Sequence, residues 1–162
     1  MMFAKLYYKL LRKPIPYYAN YPLYLILWKP IRKFLNVVFI PNIPFASLRV
    51  FLYRFIIGYR IGKNVFIGMK CYLDDLEPHN TIIEDNVVIS YGCYFSLHGI
   101  GQKHTFIHIK NGAYIGMRTA IAAGKNGITI GENTIIGAGS LVIKSIDRDL
   151  KAAGVPVRII SH

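Results

Sequence analysis

The 162-residue chain has few acidic residues, few cysteines and no long apolar run, and each shortage excludes a class of protein. Two cysteines are too few to staple a chain of this length, so a disulfide scaffold is excluded. No segment reaches about 18 uninterrupted apolar residues, so we expect no membrane-spanning helix. Lysine and arginine residues interrupt the first 13 positions, so we expect no secretory leader and a cytoplasmic location.

The positive charge is concentrated in the first half of the chain. All eight Asp and Glu residues lie after position 73, whereas residues 1–73 carry 12 of the 20 Lys and Arg residues. Hydrophobic residues make up 53% of the sequence, which excludes a disordered chain despite a formal net charge of +12. The first half is also aromatic and interrupted by prolines, which predicts short helices joined by proline turns.

The predicted helices of residues 1–60 are basic and amphipathic. Apolar residues in the first of them have helical spacing: Phe3, Leu6, Tyr7 and Leu10. A second such element is predicted over residues 47–57. Helices of this kind fit an anionic membrane surface, and they fit equally well against the rest of the protein or another subunit. We expect no nucleic-acid partner, because no recognisable nucleic-acid motif accompanies the basic residues.

From residue 61, an apolar residue recurs at every sixth position. The hexads begin at Ile61, Ile67, Leu73, Ile83, Ile89, Phe95, Ile109, Ile115, Ile121, Ile130, Ile136 and Val142. Extra residues follow only the third hexad of each group, so each coil has three sides and loops leave at one corner. The pattern predicts an all-β solenoid, a triangular parallel β-helix of four coils over residues 61–147. It would follow the helical segment of residues 1–60 and precede a tail of residues 148–162.

A second position of the hexad carries small side chains that should point inward at crowded corners. These residues are Val65, Cys71, Val87, Cys93, Ala113, Thr119, Thr134 and Ser140. Cys71 and Cys93 hold this position in successive coils, so they should be buried neighbours, and a cytoplasmic chain argues against a disulfide between them.

The hexad pattern over about residues 58–162 resembles the left-handed β-helix of the hexapeptide-repeat acyltransferases. Four segments carry the resemblance: ISYGCYFSLHG at 89–99, AYIGMRTAI at 113–121, ITIGENTIIGAGSLVIKSI at 128–146 and AAGVPVRII at 152–160. The basic amphipathic lead-in is similar to that of O-acetyltransferases acting on surface polysaccharides or their lipid-linked precursors. The resemblance implies acetyl-CoA as acyl donor, no metal, a glycan acceptor and a homotrimer with its active site between neighbours.

Acyl transfer to a hydroxyl needs a base and donors to the developing oxyanion, and histidine is the natural base near neutral pH. His98 begins the longest insertion and resembles the family's catalytic histidine, so it is the predicted general base. His104, later in the same loop, is predicted to contact the tetrahedral intermediate or bind substrate. His108 precedes an inward isoleucine and should face outward, and His162 lies at the C-terminus.

The sequence departs from the family where Gly99 follows His98, because many relatives have Asp at that position. An orienting carboxylate must therefore come from elsewhere. The first acidic residues of the chain cluster at the same predicted corner: Asp74, Asp75 and Glu77. We expect one of them to contact His98 or the acceptor sugar, although a solvated acidic turn is an equal alternative. His79, at this corner too, is a further candidate for lining the substrate cleft.

The resemblance also implies where coenzyme A would bind. Backbone groups along the lower coils would hydrogen-bond the pantetheine arm, near Ala122, Gly124, Ala138 and Gly139. Lys144 and Arg158 are the candidate partners of the phosphates, with Arg118 as an alternative, and Pro156 would pack near the adenine.

Three alternatives to a polysaccharide O-acetyltransferase stay open at this point. The same base and prism would serve an acetyltransferase for an amino-sugar nucleotide or an antibiotic. A trimeric scaffold without catalysis would use the prism for assembly and the basic half as a membrane adaptor. Some proteins with this prism are zinc hydratases, and His104 and His108 have a spacing that suits metal binding, but no supporting set of ligands accompanies them.

Overall fold

The computed structural model describes residues 10–11, 23–75, 77–98 and 105–161. Most of the helix predicted over residues 1–13 lies outside these ranges, as does His104. The described helices include none with the length and apolar content needed to cross a membrane.

The described part of the N-terminal segment is helical, as predicted, and Pro41 and Pro44 lie between its two α-helices, whereas Pro30 lies inside the first helix rather than in a turn. Its elements are α1 (Leu23–Phe34), a π-helical turn (Leu35–Phe39), a 3-10 turn (Ile40–Asn42), α2 (Ala46–Leu52) and a second π-helical turn (Tyr53–Ile57). Gly58 follows with a φ of 97°, a left-handed conformation that favours glycine and ends the second π-helical turn.

The rest of the described chain forms thirteen short strands. They are β1 (Arg60–Ile61), β2 (Phe66–Ile67), β3 (Thr81–Ile83), β4 (Val88–Ile89), β5 (Tyr94–Ser96), β6 (Ile107–Ile109), β7 (Tyr114–Ile115), β8 (Ala120–Ala122), β9 (Ile128–Ile130), β10 (Ile135–Ile136), β11 (Leu141–Val142), β12 (Lys151–Gly154) and β13 (Val157–Ser161). A 3-10 turn at Pro78–Asn80 precedes β3.

The strands form three sheets, one on each side of a solenoid. The first side has the order β1-β3-β6-β9, the second β2-β4-β7-β10-β12-β13, and the third β5-β8-β11. All pairings are parallel except that of β12 with β13, which form a hairpin beside the last coil. The predicted three-sided parallel β-solenoid is therefore confirmed.

The core consists of the residues that the hexad pattern placed inward. All twelve hexad-initial residues are buried, with exposed fractions of at most 8%. Ile61 pairs with Ile83, Ile83 with Ile109, and Ile109 with Ile130, so the side chains stack from coil to coil. The small corner residues are also buried, except for the partly buried Val65. Cys71 and Cys93 are buried free thiols.

The helical segment covers the first coil of the solenoid. Strands β1 and β2 lie at the ends of their sheets, so their outer edge has no preceding coil with which to pair. Arg49, only 2% exposed, donates from Nη2 to Ile67 O at 2.7 Å and also to Ile43 O. Arg54 donates to Gly62 O. The predicted basic face over residues 47–57 is thus partly a cap, because these side chains satisfy edge carbonyls.

Candidate active site

In successive coils the chain leaves the third side of the prism at the same corner. Strands β5, β8 and β11 end just before this corner, at Ser96, Ala122 and Val142. In the first coil, the hexad that begins at Leu73 leads to the same corner. This is the corner at which the insertions were predicted, and it brings together the acidic cluster and the longest loop.

At this corner, His98 forms a short contact with Asp74. His98 Nδ1 lies 2.5 Å from Asp74 Oδ2, and the same oxygen accepts the backbone N–H of Leu97 at 2.8 Å. The Asp74 side chain is fully buried, whereas that of His98 is 35% exposed. Because the carboxylate oxygen is an acceptor, Nδ1 carries the hydrogen, which leaves Nε2 of the neutral ring as the acceptor. The pair is thus a buried carboxylate orienting a partly exposed imidazole.

Three residues of the helical segment that the sequence analysis missed hold the main chain around Asp74. Asn36 donates to Leu73 O, Tyr59 lies within hydrogen-bond distance of Leu73 O and Asp74 O, and Arg32 donates to Asp75 O. The one available signal is Asn36, a lone polar residue within the apolar run FLNVVFI. Nothing in the hexad pattern points to the other two.

The remaining predicted acidic residues lie close by but do not make this contact. Asp75 is buried. The pKa of Tyr72 is raised above its ordinary value, because its hydroxyl is desolvated and lies near the Asp74 and Asp75 carboxylates. Glu77 and His79 are exposed, and the His79 ring lies against Gly58. Among the described residues, no hydrogen bond joins Glu77 or His79 to His98.

Below His98 the corner is open. Ser96 pairs with Ala122 in the next coil, and Ala123 N donates to Ser96 O at 2.9 Å. Extending this register by two residues places Gly124 beneath His98. A Cβ atom built on Gly124 would meet no described atom within 4 Å. A Cβ atom built on Gly139 would also meet no described atom within 4 Å, but Gly139 lies with the exposed Ala138 at another corner, between β10 and β11, where its N–H donates to Met117 O. The structure therefore does not bring these two predicted coenzyme A residues together with Gly124.

Two of the basic residues predicted to pair with the phosphates of coenzyme A line one cavity at the lower end of this corner. The cavity has a volume of about 350 Å³, and its lining includes Lys144, Ser145, Val157 and Arg158, together with the acidic Asp147. Extending the β8–β11 register by three residues places Lys144 two coils below Leu97. Among the other candidates, Pro156 is exposed in the β12–β13 turn and Arg118 is exposed at the corner between β7 and β8.

A second histidine–carboxylate pair lies away from this corner. His108, in the middle of β6 on the first side, places Nε2 2.6 Å from Glu84 Oε1. Its outward orientation agrees with the hexad pattern. Within the described ranges, no group of three or more His, Cys, Asp or Glu side chains is arranged to hold a metal ion.

Comparisons with known proteins agree with this fold. A family model described as the hexapeptide repeat of succinyl-transferase matches residues 58–95. A hexapeptide-repeat-containing acetyltransferase from Vibrio cholerae is 21% identical, with a TM-score of 0.68 over 86% of this chain and 92% of that chain. Its complex with acetyl coenzyme A, from the O1 biovar eltor strain, is also 21% identical, with a TM-score of 0.69 over 91% and 92%.

A serine acetyltransferase from Brucella abortus has higher identity but a smaller overlap. It is 30% identical with a TM-score of 0.53, and the match covers 64% of this chain and only 40% of that enzyme. No curated protein sequence matches the chain. The hexapeptide-repeat match covers residues 58–95, and the fold of the chain is the left-handed β-helix of these acetyltransferases.

Proposed function

We propose that this protein is an acetyl-CoA-dependent O-acetyltransferase. Its acceptor would be a sugar hydroxyl of a surface polysaccharide or of the lipid-linked precursor. The observation that carries the proposal is the His98–Asp74 pair at an open corner of the solenoid. Support comes from the fold, which is shared with an acetyltransferase complexed with acetyl coenzyme A.

In the proposed reaction, His98 is the general base. Nδ1–H donates to Asp74 Oδ2, so Nε2 accepts the hydrogen of the acceptor hydroxyl while that oxygen attacks the thioester carbonyl carbon. Asp74 stabilises the positive charge that forms on the ring. The C–S bond then breaks, and the imidazolium returns the proton to the sulfur of coenzyme A. The products are an O-acetyl ester and the free thiol.

The donor would lie along the corner beneath His98. The open space at Gly124 suits the acyl end of the donor, and the cavity lined by Lys144 and Arg158 suits its phosphates. His104, outside the described residues, keeps its predicted role of contacting the tetrahedral intermediate or binding substrate. Asp75, Glu77 and His79 remain candidates for contacts with the acceptor.

The lipid-linked alternative is favoured by the surface of the helical segment. Between residues 27 and 56, twelve large apolar side chains are exposed: Leu27, Trp28, Ile31, Phe34, Val37, Val38, Phe39, Phe45, Leu48, Phe51, Phe55 and Ile56. Lys29 and Lys33 are exposed on the same segment, and the chain has no acidic residue before position 74. Apolar area flanked by cations fits an anionic lipid surface, so we propose peripheral membrane binding through residues 1–60.

A homotrimer is part of the same proposal. On the outward face of the second sheet, Phe66, Val88, Tyr114 and Ile135 pair in register and form an apolar ridge. Three of the four are large and exposed, which favours burial against a neighbouring subunit. Light scattering should give a mass three times the 18.4 kDa of one chain, and a stable monomer would contradict the proposed intersubunit site.

The decisive experiment is product mass analysis with acetyl-CoA and a panel of glycan, amino-sugar nucleotide and antibiotic acceptors. We expect a glycan to gain one acetyl group and His98→Ala to abolish the gain while the fold and the trimer persist. Acetylation of an amino-sugar nucleotide or antibiotic alone would identify the other acceptor class. No acetylation of any acceptor, or unchanged biological activity of His98→Ala, would favour the scaffold.

Membrane binding is tested separately by co-sedimentation with vesicles. The full chain should sediment with vesicles containing anionic lipid, and less so as salt is raised, because salt screens the cations. If neither anionic lipid nor salt changes the bound fraction, the exposed apolar surface would instead fit packing between subunits.

A further inference from the structure

Two buried polar side chains of the helical segment contact the backbone that carries Asp74. The amide of Asn36 donates from Nδ2 to Leu73 O at 2.7 Å. The Tyr59 hydroxyl lies 2.8 Å from the same oxygen and 3.1 Å from Asp74 O. Asn36 is fully buried and Tyr59 is 2% exposed, so water cannot readily replace either side chain.

The Tyr59 hydroxyl acts as a donor in this arrangement. Its third neighbour, Asn36 Oδ1 at 3.0 Å, is an acceptor like the two carbonyl oxygens, so one hydroxyl hydrogen is shared among them. Burial raises the pKa of Tyr59 well above its ordinary value, so the hydroxyl keeps its hydrogen at neutral pH. The ring itself packs edge-on against Tyr53, with centroids 5.7 Å apart.

The backbone at Asp74 needs this support because it belongs to the first coil and lies outside the named strands. Below it, the parallel contact at this side is the single bridge between Tyr72 and Tyr94. Above it, the helical segment takes the place of a preceding coil. The 2.5 Å contact between Asp74 and His98 therefore depends on hydrogen bonds from residues far away in the sequence.

We propose that Asn36 and Tyr59 are positioning residues for the Asp74–His98 pair. They hold the main chain at residues 73–74 so that Asp74 Oδ2 reaches both Leu97 N–H and His98 Nδ1. This inference rests on the function proposed above, in which His98 is the base. The two residues do not touch substrate, and they act only through the tautomer and orientation of the imidazole.

The test combines a spectroscopic readout with kinetics on the full chain. ¹⁵N NMR of the ring nitrogens, assigned with His98→Gln, should show the hydrogen of neutral His98 mainly on Nδ1. In Tyr59→Phe and Asn36→Leu the Nδ1–H fraction should fall. With the acceptor found by mass analysis, kcat should fall by about three- to tenfold at a nearly constant KM for acetyl-CoA, because the base is misplaced while the donor site is intact.

Tyr53→Phe is the matched control. Tyr53 is equally buried and touches the Tyr59 ring, but its hydroxyl has no hydrogen-bond partner in the described part of the chain. The Tyr53→Phe variant should leave the His98 tautomer and kcat unchanged. A lower melting temperature in Tyr59→Phe and Asn36→Leu with a wild-type tautomer would overturn the positioning role. If these two variants changed the His98 tautomer but the wild-type protein acetylated no acceptor, the positioning role would be supported and only the proposed function would be refuted.

Discussion

Replacing Asp74 by Asn should remove the charge of the His98–Asp74 pair and keep its geometry. Asp74 Oδ2 accepts hydrogens from both Leu97 N–H and His98 Nδ1. In Asp74→Asn, the Leu97 N–H favours the amide oxygen at that position, because an NH₂ group there would face another donor. The hydrogen of His98 then stays on Nδ1, so the variant isolates the effect of the carboxylate charge.

The magnitude follows from the strength of that one contact. A hydrogen bond to a charged group contributes about 1.5–3 kcal/mol, against about 0.5–1.5 kcal/mol for a neutral one. Because Asp74 is fully buried, solvent screens little of the difference. A loss of about 1–2 kcal/mol of transition-state stabilisation lowers kcat by about five- to thirtyfold. The KM for acetyl-CoA should stay nearly constant, since Asp74 does not line the Lys144 cavity.

The assay is release of the coenzyme A thiol from acetyl-CoA in the presence of the acceptor identified by mass analysis. Glu84→Gln is the matched control, because Glu84 makes a similar contact of 2.6 Å with His108 on another side of the prism. It should leave kcat unchanged. Asp74→Asn retaining more than half of the wild-type kcat, or losing no more than Glu84→Gln, would refute the assignment of Asp74 as the orienting carboxylate.

Four further variants test the donor site and the stability of the fold. Replacing Lys144 and Arg158 together by Gln should raise the KM for acetyl-CoA by about three- to tenfold at constant kcat, since partly exposed ion pairs are worth about 1 kcal/mol or less each. Steady-state kinetics with an unchanged KM would remove the cavity from the donor site. Gly116→Ala should destabilise by about 1–3 kcal/mol, because its Cβ would lie 2.5 Å from backbone of the next coil, whereas Gly124→Ala should unfold at the wild-type temperature. Arg49→Met should lower the free energy of unfolding by about 1–3 kcal/mol in denaturant titrations, because it leaves the buried carbonyl oxygen of Ile67 and the partly buried one of Ile43 without their donor; an unchanged value would contradict the capping role.

The solenoid could be predicted from the sequence because its physics is local and repeated. Each isoleucine at a hexad start meets an equivalent residue one coil away, as Ile83 meets Ile61 and Ile109, so one pattern reports on every contact in the stack. The positions of the insertions added the three-sided geometry. Agreement between the apolar and the small positions of the hexad left a single register.

The docking of the helical segment could not be predicted in the same way. Arg49 has the spacing of a basic surface residue, yet it is buried and bonded to edge carbonyls. Its burial lowers its pKa, and nothing in the local sequence distinguishes it from an exposed arginine. The decisive partner, Ile67 O, is a backbone atom, and a pattern of side chains carries no information about which backbone atoms lack a partner.

For the same reason, the sequence alone could not show which of the three acidic residues orients His98. The stacking register brings residues 74–77 over the corner of His98, and so it narrows the orienting group to Asp74, Asp75 or Glu77. Which carboxylate reaches the ring depends on the backbone of that turn. That backbone is held by Asn36, 37 residues before Leu73 in the chain, and such a contact has no periodic signal.

The two sides of the turn Leu35–Phe39 face different surroundings, so the two roles proposed for the helical segment should be tested by point substitutions rather than by deletion. Asn36 is buried and donates to the carbonyl oxygen of Leu73, next to Asp74, whereas Val37 and Phe39 are exposed among the apolar residues proposed to meet lipid. Deleting the segment would remove both at once and could not separate catalysis from membrane binding. Point changes can: Phe39→Ser should weaken vesicle binding without altering the His98 tautomer, and Asn36→Leu should alter the tautomer without weakening vesicle binding. If both variants changed both properties, the two sides of the turn would not act independently.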